Sequence, residues 1–168
     1  DGPTISVFTR EVAAIGGEDR PYLVFLQGGP GIEATRPTSP PSGWMKRALQ
    51  DYRILLLDQR GTGRSTPVGS ALPGATPAEQ AAYLAHFRAD AIVRDCEAIR
   101  RELGVDRWSL LGQSFGGFTA LSYLFLAPEG LAEVLITGGL SPVGRPVDDV
   151  YRATYRRTAE RNRAYFAR

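Results

Sequence analysis

The stretch that decides the fold is "WSLLGQSFGGFTA", Trp108 to Ala120. Its first half is a short apolar run and its second half opens like a helix, so Ser114 falls on a strand-to-helix turn. Gly112 and Gly116, two places to either side, complete the pattern G-x-S-x-G in the context which that pattern requires. The spacing has a steric reason. A serine at the apex of so sharp a turn has a strained backbone, and its neighbours two places away pass so close that only very small side chains fit. The helix behind the turn also aims its unpaired N–H groups and the positive end of its dipole at charge developing near Ser114. A plain helix cap would use similar residues, so the rest of the chain has to discriminate.

Working outward, punctuation and periodicity alternate regularly. Thr4 to Ile15 mixes β-branched and polar residues and reads as an outer strand or hairpin ended by Gly16-Gly17. Tyr22 to Leu26 is a short continuous apolar run that ends in "QGGPG", as expected of a strand buried on both faces. A proline-rich loop follows, and Ser42 is placed to cap a helix through Gln50. "RILLLD", Arg53 to Asp58, is a second buried strand, ending in "QRGTGRS". Thr76-Pro77-Ala78-Glu79 has the capping-box spacing and a proline at the first helical position, which announces a long helix. Ile92, Cys96, Ile99 and Leu103 give that helix an apolar stripe, and Gly104 stops it. Trp108 to Leu111 is a third buried strand, Phe115 to Ala127 a helix halted by Pro128, and Val134 to Thr137 a fourth strand. The alternation implies an α/β fold, with a mostly parallel sheet covered by helices on both faces.

Composition narrows the function classes. A chain of 168 residues with 23% charged and 43% hydrophobic residues has the make-up of a globular domain. The one cysteine, Cys96, cannot form an internal disulfide and leaves neither a redox pair nor metal-ligand spacing, so no metal site is expected. The longest apolar stretch, Phe118 to Ala127, is about half of what a bilayer span needs. The N-terminus lacks a basic region followed by an apolar one. A soluble cytoplasmic protein without a membrane partner is expected. From Ser141 onward seven arginines face Asp148, Asp149 and Glu160, a local excess of basic charge. Those arginines alternate with Tyr151, Tyr155, Ala159 and Tyr165 at helical spacing, so they read as a solvated helix face and not as a nucleic-acid footprint. No dinucleotide or P-loop signature is present: "GTGRST" lacks the third glycine of the first, and Asp58 and Arg64 stand where the second needs glycine and lysine. No cofactor is called for.

In a parallel sheet of this kind ligands bind beyond the carboxyl ends of the strands. Glycine-rich turns fall at three such ends: Gly28 to Gly31, Gly61 to Gly63, and Gly112 to Gly117. Acyl transfer needs an oxyanion hole with one N–H from the residue after the nucleophile, Phe115, and a second from the loop after an earlier strand. "QGGPG" suits that loop, since Gly28 and Gly29 let the backbone approach a substrate oxygen and Pro30 can set the turn. Two motifs in the right order are less readily explained as ordinary turns than either alone.

"LVFLQGGPG", "LLLDQRGTGRS" and "LLGQSFGG", in this order and at these distances, resemble the proline iminopeptidases (prolyl aminopeptidases), serine peptidases of the α/β-hydrolase fold. The resemblance covers about Tyr22 to Leu140. It implies an enzyme that removes an N-terminal proline from peptides, with Ser114 as nucleophile, Phe115 and Gly29 (or Gly28) as oxyanion donors, and Asp58 to Ser65 as a loop supporting the site. It also implies residues 1–140 as the N-terminal part of the hydrolase core and 141–168 as the beginning of a helical cap. Two positions depart from the family pattern. Gln27 replaces the usual histidine before the glycines, and Phe115 replaces the usual tryptophan, two changes that bear on the pocket wall and the substrate preference.

The remaining chemistry is conspicuous by its order. In this fold the triad runs serine, acid, histidine along the chain, whereas the single histidine, His86, precedes the serine and lies within the capped amphipathic helix, where it reads as structural. Asp148 and Asp149 read as cap residues. The catalytic acid and base are therefore expected beyond "AYFAR", and the chain reads as the first part of a longer enzyme whose remaining cap and core would be its intramolecular partner. Cys96 reads as core. Asp58 and Arg64 read as residues that hold their own glycine loop, and Glu33 as an outside candidate for meeting an ammonium group. Two alternatives stay open: an esterase or lipase-like hydrolase with the same machinery, and a non-catalytic binding protein of the same fold.

Overall fold

The computed structural model describes residues 4–139 and 144–167. Among them, β1 (Phe8–Val12), β2 (Tyr22–Leu26), β3 (Arg53–Asp58), β4 (Trp108–Gln113) and β5 (Leu131–Thr137) form one sheet in the spatial order β1-β3-β2-β4-β5. β1 runs antiparallel to β3, and every other pairing is parallel. The helices are α1 (Gly43–Ala48), α2 (Pro77–Leu84), α3 (Ala89–Glu102), α4 (Phe115–Leu126) and α5 (Val147–Phe166). The expected core–cap boundary at residues 140 and 141 lies outside the described residues.

Side chains alternate between the two faces of the sheet, as the period of two in a strand demands. Leu55 and Leu57 of β3 join Val24, Leu26, Trp108, Leu110, Cys96 and Tyr123 in the larger core under α3 and α4. Ile54 and Leu56, their neighbours in sequence, pack with Ala34 and Leu49 on the opposite face, near Met45 of α1. With both faces covered, β2 and β3 have no polar side to show, which is why they read as unbroken apolar runs.

Several boundaries differ from the sequence reading. The single helix expected from Thr76 to Gly104 is two helices joined by a 3₁₀ turn, Ala85–Phe87. The Thr76–Glu79 capping box forms as expected, but Arg88 takes an extended conformation (φ −79°, ψ 165°) and starts α3 afresh. The break is held from outside: Arg60 donates to the His86 carbonyl at 2.7 Å and grips the Asp95 carboxylate of α3 with two further bonds. His86 thus sits exposed on the turn and not within a helix. Ile92, Cys96 and Ile99 make the apolar stripe of α3, whereas Leu103, the C-cap residue, is exposed. Ser42 does occupy the N-cap of α1 but makes no capping bond, because Gly43 begins the helix at φ +54°. β5 begins at Leu131, earlier than Val134, since Leu131 is buried and pairs with Trp108 across a register shift. β5 carries no partner on its outer side among the described residues, and Leu135 and Ile136 are exposed there.

A buried polar network ties α3, β4 and α4 together. Trp108 Nε1 donates to the Tyr123 hydroxyl at 3.2 Å, which donates to Glu97; the same carboxylate takes two bonds from Arg100, at 2.8 and 2.7 Å. Arg100 also donates to the carbonyls of Val105 and Asp106, anchoring the connection into β4. Pairing with Arg100 holds the Glu97 carboxyl below the usual glutamate range, against the opposing effect of burial. Tyr123→Phe leaves the buried Trp108 Nε1 without an acceptor and takes one donor from Glu97, which keeps Arg100, and is expected to cost about 1–3 kcal/mol in urea unfolding. The depressed pKa means that the folded state binds fewer protons than the unfolded chain, so the Glu97 contribution is complete above the ordinary glutamate pKa and is lost as pH falls through the folded-state value. A Glu97→Gln variant should therefore show a smaller drop in midpoint than wild type between neutral and acid pH.

Candidate active site

The strand order reverses at β2. The chain steps outward from β2 to β3 and then crosses back to β4 on the other side of β2, opening a crevice at the carboxyl ends of β2 and β4. The loop after β2 carries Gln27 to Gly31, and the turn after β4 carries Ser114.

Ser114 has φ +54° and ψ −115°, the one positive φ at a non-glycine position among the described residues. Such a conformation costs on the order of 1–3 kcal/mol and persists only where the surroundings impose it. They do so here. The Ser114 N–H donates to the Thr137 carbonyl at the end of β5 at 2.9 Å, and its own carbonyl accepts the first bonds of α4 from Gly117 and Phe118. A Cβ on Gly116 would lie 1.9 Å from the Leu26 carbonyl oxygen, and one on Gly112 would lie 2.4 Å from the Gly116 oxygen. The two glycines flanking the serine are thus demanded by backbone-to-backbone contact, as the motif predicts.

Across the crevice, Gly28 presses on the same turn: its Cβ would meet the Gln113 carbonyl and the Ser114 Cβ, both at 3.1 Å. Gly29 follows at φ +113°. Neither the Gly29 N–H nor the Phe115 N–H donates to an acceptor among the described residues, whereas the Gly28 N–H is bonded to Gln27 Oε1 at 3.0 Å. Two hollows flank the turn. One of about 480 Å³ lies between Gln27, Gln113, Trp44 and Phe25, whose rings stack at 4.9 Å. The other, of about 330 Å³, lies between Phe115, Pro30, Gln59, Phe87 and Ile92.

The loop after β3 supports the crevice from behind. Asp58 is buried and accepts the N–H of Ala34 at 3.1 Å and that of Arg64 at 2.9 Å, so one carboxylate joins two loops. Gly63 packs against it so closely that a Cβ would lie 2.3 Å from its Oδ2. Arg64 contributes its backbone, while its guanidinium stacks on Phe8, 4.2 Å from the ring centre. The sequence reading of both as loop-holding residues matches this arrangement. Glu33 is exposed, and its carbonyl lies 3.4 Å from Gln27 Nε2. Cys96 is fully buried, and burial pushes its thiol well above the ordinary range, which suits core and not chemistry. His86 makes no hydrogen bond to Ser114. Sequence reasoning placed Gln59 and Arg60 only within the supporting loop Asp58 to Ser65; no spacing rule marks their individual roles, because their partners Gln27 and Asp95 are distant in the chain. Among the described residues no helix is long and apolar enough to cross a membrane, and no cluster of His, Cys, Asp and Glu has the make-up of a metal site.

The alpha/beta hydrolase fold family matches residues 21–168, and the chain belongs to it. It is 56% identical over 172 residues to a proline iminopeptidase of Aeromonas sobria, covering 100% of this chain and 40% of that protein. It is 38% identical over 179 residues to a proline iminopeptidase of Aspergillus aculeatus, covering 99% of this chain and 39% of that protein. The chain thus spans about two fifths of the length of these curated relatives, and within the α/β-hydrolases it is similar to proline iminopeptidases. Among solved structures, a proline iminopeptidase-related protein from Thermus thermophilus superposes with a TM-score of 0.56 at 26% identity, over 79% of this chain and 40% of that one. An esterase from Exiguobacterium antarcticum shares the fold, with a TM-score of 0.58 at 21% identity over 86% and 46% of the two chains.

The contact at Gly116 gives a direct test of the turn. Gly116→Ala should lose about 3 kcal/mol or more, because α4 or the end of β2 must move. Thermal unfolding of the full-length protein should show it, while Gly69→Ala, with open space around it, should leave the midpoint nearly unchanged.

Proposed function

We propose that the protein is a serine aminopeptidase that releases an N-terminal proline from peptides through an acyl-enzyme on Ser114. The observation that carries the proposal is the strained Ser114 turn facing a glycine pair, in a chain 56% identical to a proline iminopeptidase. Strain of this kind is kept where it exposes a nucleophile. In this reading Ser114 Oγ attacks the prolyl carbonyl, the N–H groups of Phe115 and Gly29 receive the oxyanion, and water then clears the acyl group. Gly29 is favoured over Gly28, since the Gly28 N–H is already engaged.

The general base is a histidine other than His86, which sits exposed on a turn held to Arg60 by its carbonyl. α5, with its arginine-rich face, would begin a helical cap.

In the full-length protein, Ser114→Ala should abolish proline release from proline β-naphthylamide without lowering the melting temperature, and a fluorophosphonate probe should label wild type but not the variant. Labelling without prolyl-amide cleavage would instead identify an esterase. His86→Gln should change the rate by less than about threefold, against the 10²-fold or greater loss that removal of a general base brings.

A further inference from the structure

Gln27 stands between the last residue of β2 and the glycine pair, and both ends of its amide are in use. Oε1 accepts the Gly28 N–H at 3.0 Å, and Nε2 reaches the Glu33 carbonyl at 3.4 Å, at the far side of the same loop. Its main chain is held as well: the Gln27 carbonyl accepts the side-chain amide of Gln59, a buried residue just past the end of β3, at 2.8 Å. The loop therefore hangs on two amides, one from its own strand and one from the next.

This arrangement divides the two glycines. A donor that is already bonded must break that bond to serve an oxyanion, so its net contribution to the transition state is small, whereas a donor left free and aimed contributes in full. The Gly28 N–H is bonded, and its Cα side is pressed against Gln113 and Ser114, which leaves it no room to turn. The Gly29 N–H has no acceptor among the described residues. We propose that Gln27 is a positioning residue: by taking the Gly28 N–H and tying the loop to Glu33, it leaves the Gly29 N–H, and not that of Gly28, as the glycine pair's free donor to the acyl oxygen, with Gln59 anchoring its main chain.

The chemistry explains why an amide serves. The position needs an acceptor for Gly28 and a donor for Glu33 on one short side chain. Glutamate has two acceptors and would add negative charge beside the place where an oxyanion develops. Histidine, in one tautomer, offers one acceptor and one donor. The inference rests on the acyl-enzyme reading of Ser114 but on no particular acyl group.

The test is steady-state kinetics of the full-length protein on proline β-naphthylamide and on p-nitrophenyl acetate, with inhibition by a prolyl boronic acid, which mimics the tetrahedral state. Gln27→Ala should lower kcat about tenfold on both substrates with KM within about twofold, and boronate affinity should fall in step with kcat, as for loss of an interaction made only in the transition state. Gln27→His should recover most of the loss. Gln27→Glu, which keeps the shape, should fall below Gln27→Ala, and more so at low salt. Unchanged kcat in Gln27→Ala, a change confined to KM, or equal losses in all three variants that follow their melting temperatures would overturn the assignment. If wild type turned over neither substrate and took no fluorophosphonate label, the acyl-enzyme reading would fall first and Gln27 with it.

Discussion

The carboxyl end of the sheet depends on one close approach, that of the Gly116 backbone to the Leu26 carbonyl, so near that a Cβ would lie 1.9 Å from the oxygen. It seats the first turn of α4 directly on the end of β2. Because Gly112 meets Gly116 in the same way, β4 must turn into α4 with no slack, and Ser114 is left at a positive φ. Relief of that strain would require α4 to lift off the sheet. The helix cannot do so cheaply, because Tyr123 and Ala120 lie in the main core and Tyr123 is tied to Glu97 and Trp108. Core packing thus holds a local conformation that the serine alone would not adopt.

The opposite wall of the crevice is built by a different means. Where the Ser114 turn is held by backbone contact and a buried helix, the loop after β2 is held by side-chain hydrogen bonds. Asp58 binds the N–H groups of Ala34 and Arg64, Gln59 binds the Gln27 carbonyl, and Gln27 binds Gly28. The donors and acceptors come from strand ends that the sheet already places side by side, so little further ordering is needed. The Arg60–Asp95 pair continues the scheme one step further out and brings the 3₁₀ turn with Phe87 against Gly61.

The contrast accounts for what could be read in the sequence. β2, β3 and β4 were legible because strands buried on both faces need continuous apolar runs, and the Ser114 turn because close backbone contact admits only glycine at two set positions. The capping box at Thr76 was legible because it is local. What escaped was long-range. Nothing near Arg88 announces a helix break, since its cause is the guanidinium of Arg60, 26 residues from the His86 carbonyl that it holds. The early start of β5 escaped because Glu133 interrupts the apolar pattern and Leu131 is placed by pairing with Trp108. Gln27 was legible only as a departure from a familiar pattern; that its side chain turns back onto its own loop emerges from the geometry.

The division also separates what the fold conserves from what it leaves open. The proposed oxyanion hole of two main-chain N–H groups asks for glycines and a helix start, and would tolerate Phe115 in place of another aromatic residue without change to the donor. Such parts suit any acyl substrate, and an esterase of 21% identity shares the fold with this chain. Choice of substrate has to come from side chains around the turn, and the two hollows beside it are lined by different ones: Trp44 and Phe25 with two glutamines on one side, Phe115, Phe87 and Pro30 on the other. In the proposed acyl-enzyme reading, the scissile carbonyl would lie between Ser114 and the free N–H groups, with the two halves of a peptide on opposite sides of that line. In that reading chemistry is set by backbone that hardly admits substitution, and selectivity by the aromatic walls beside it.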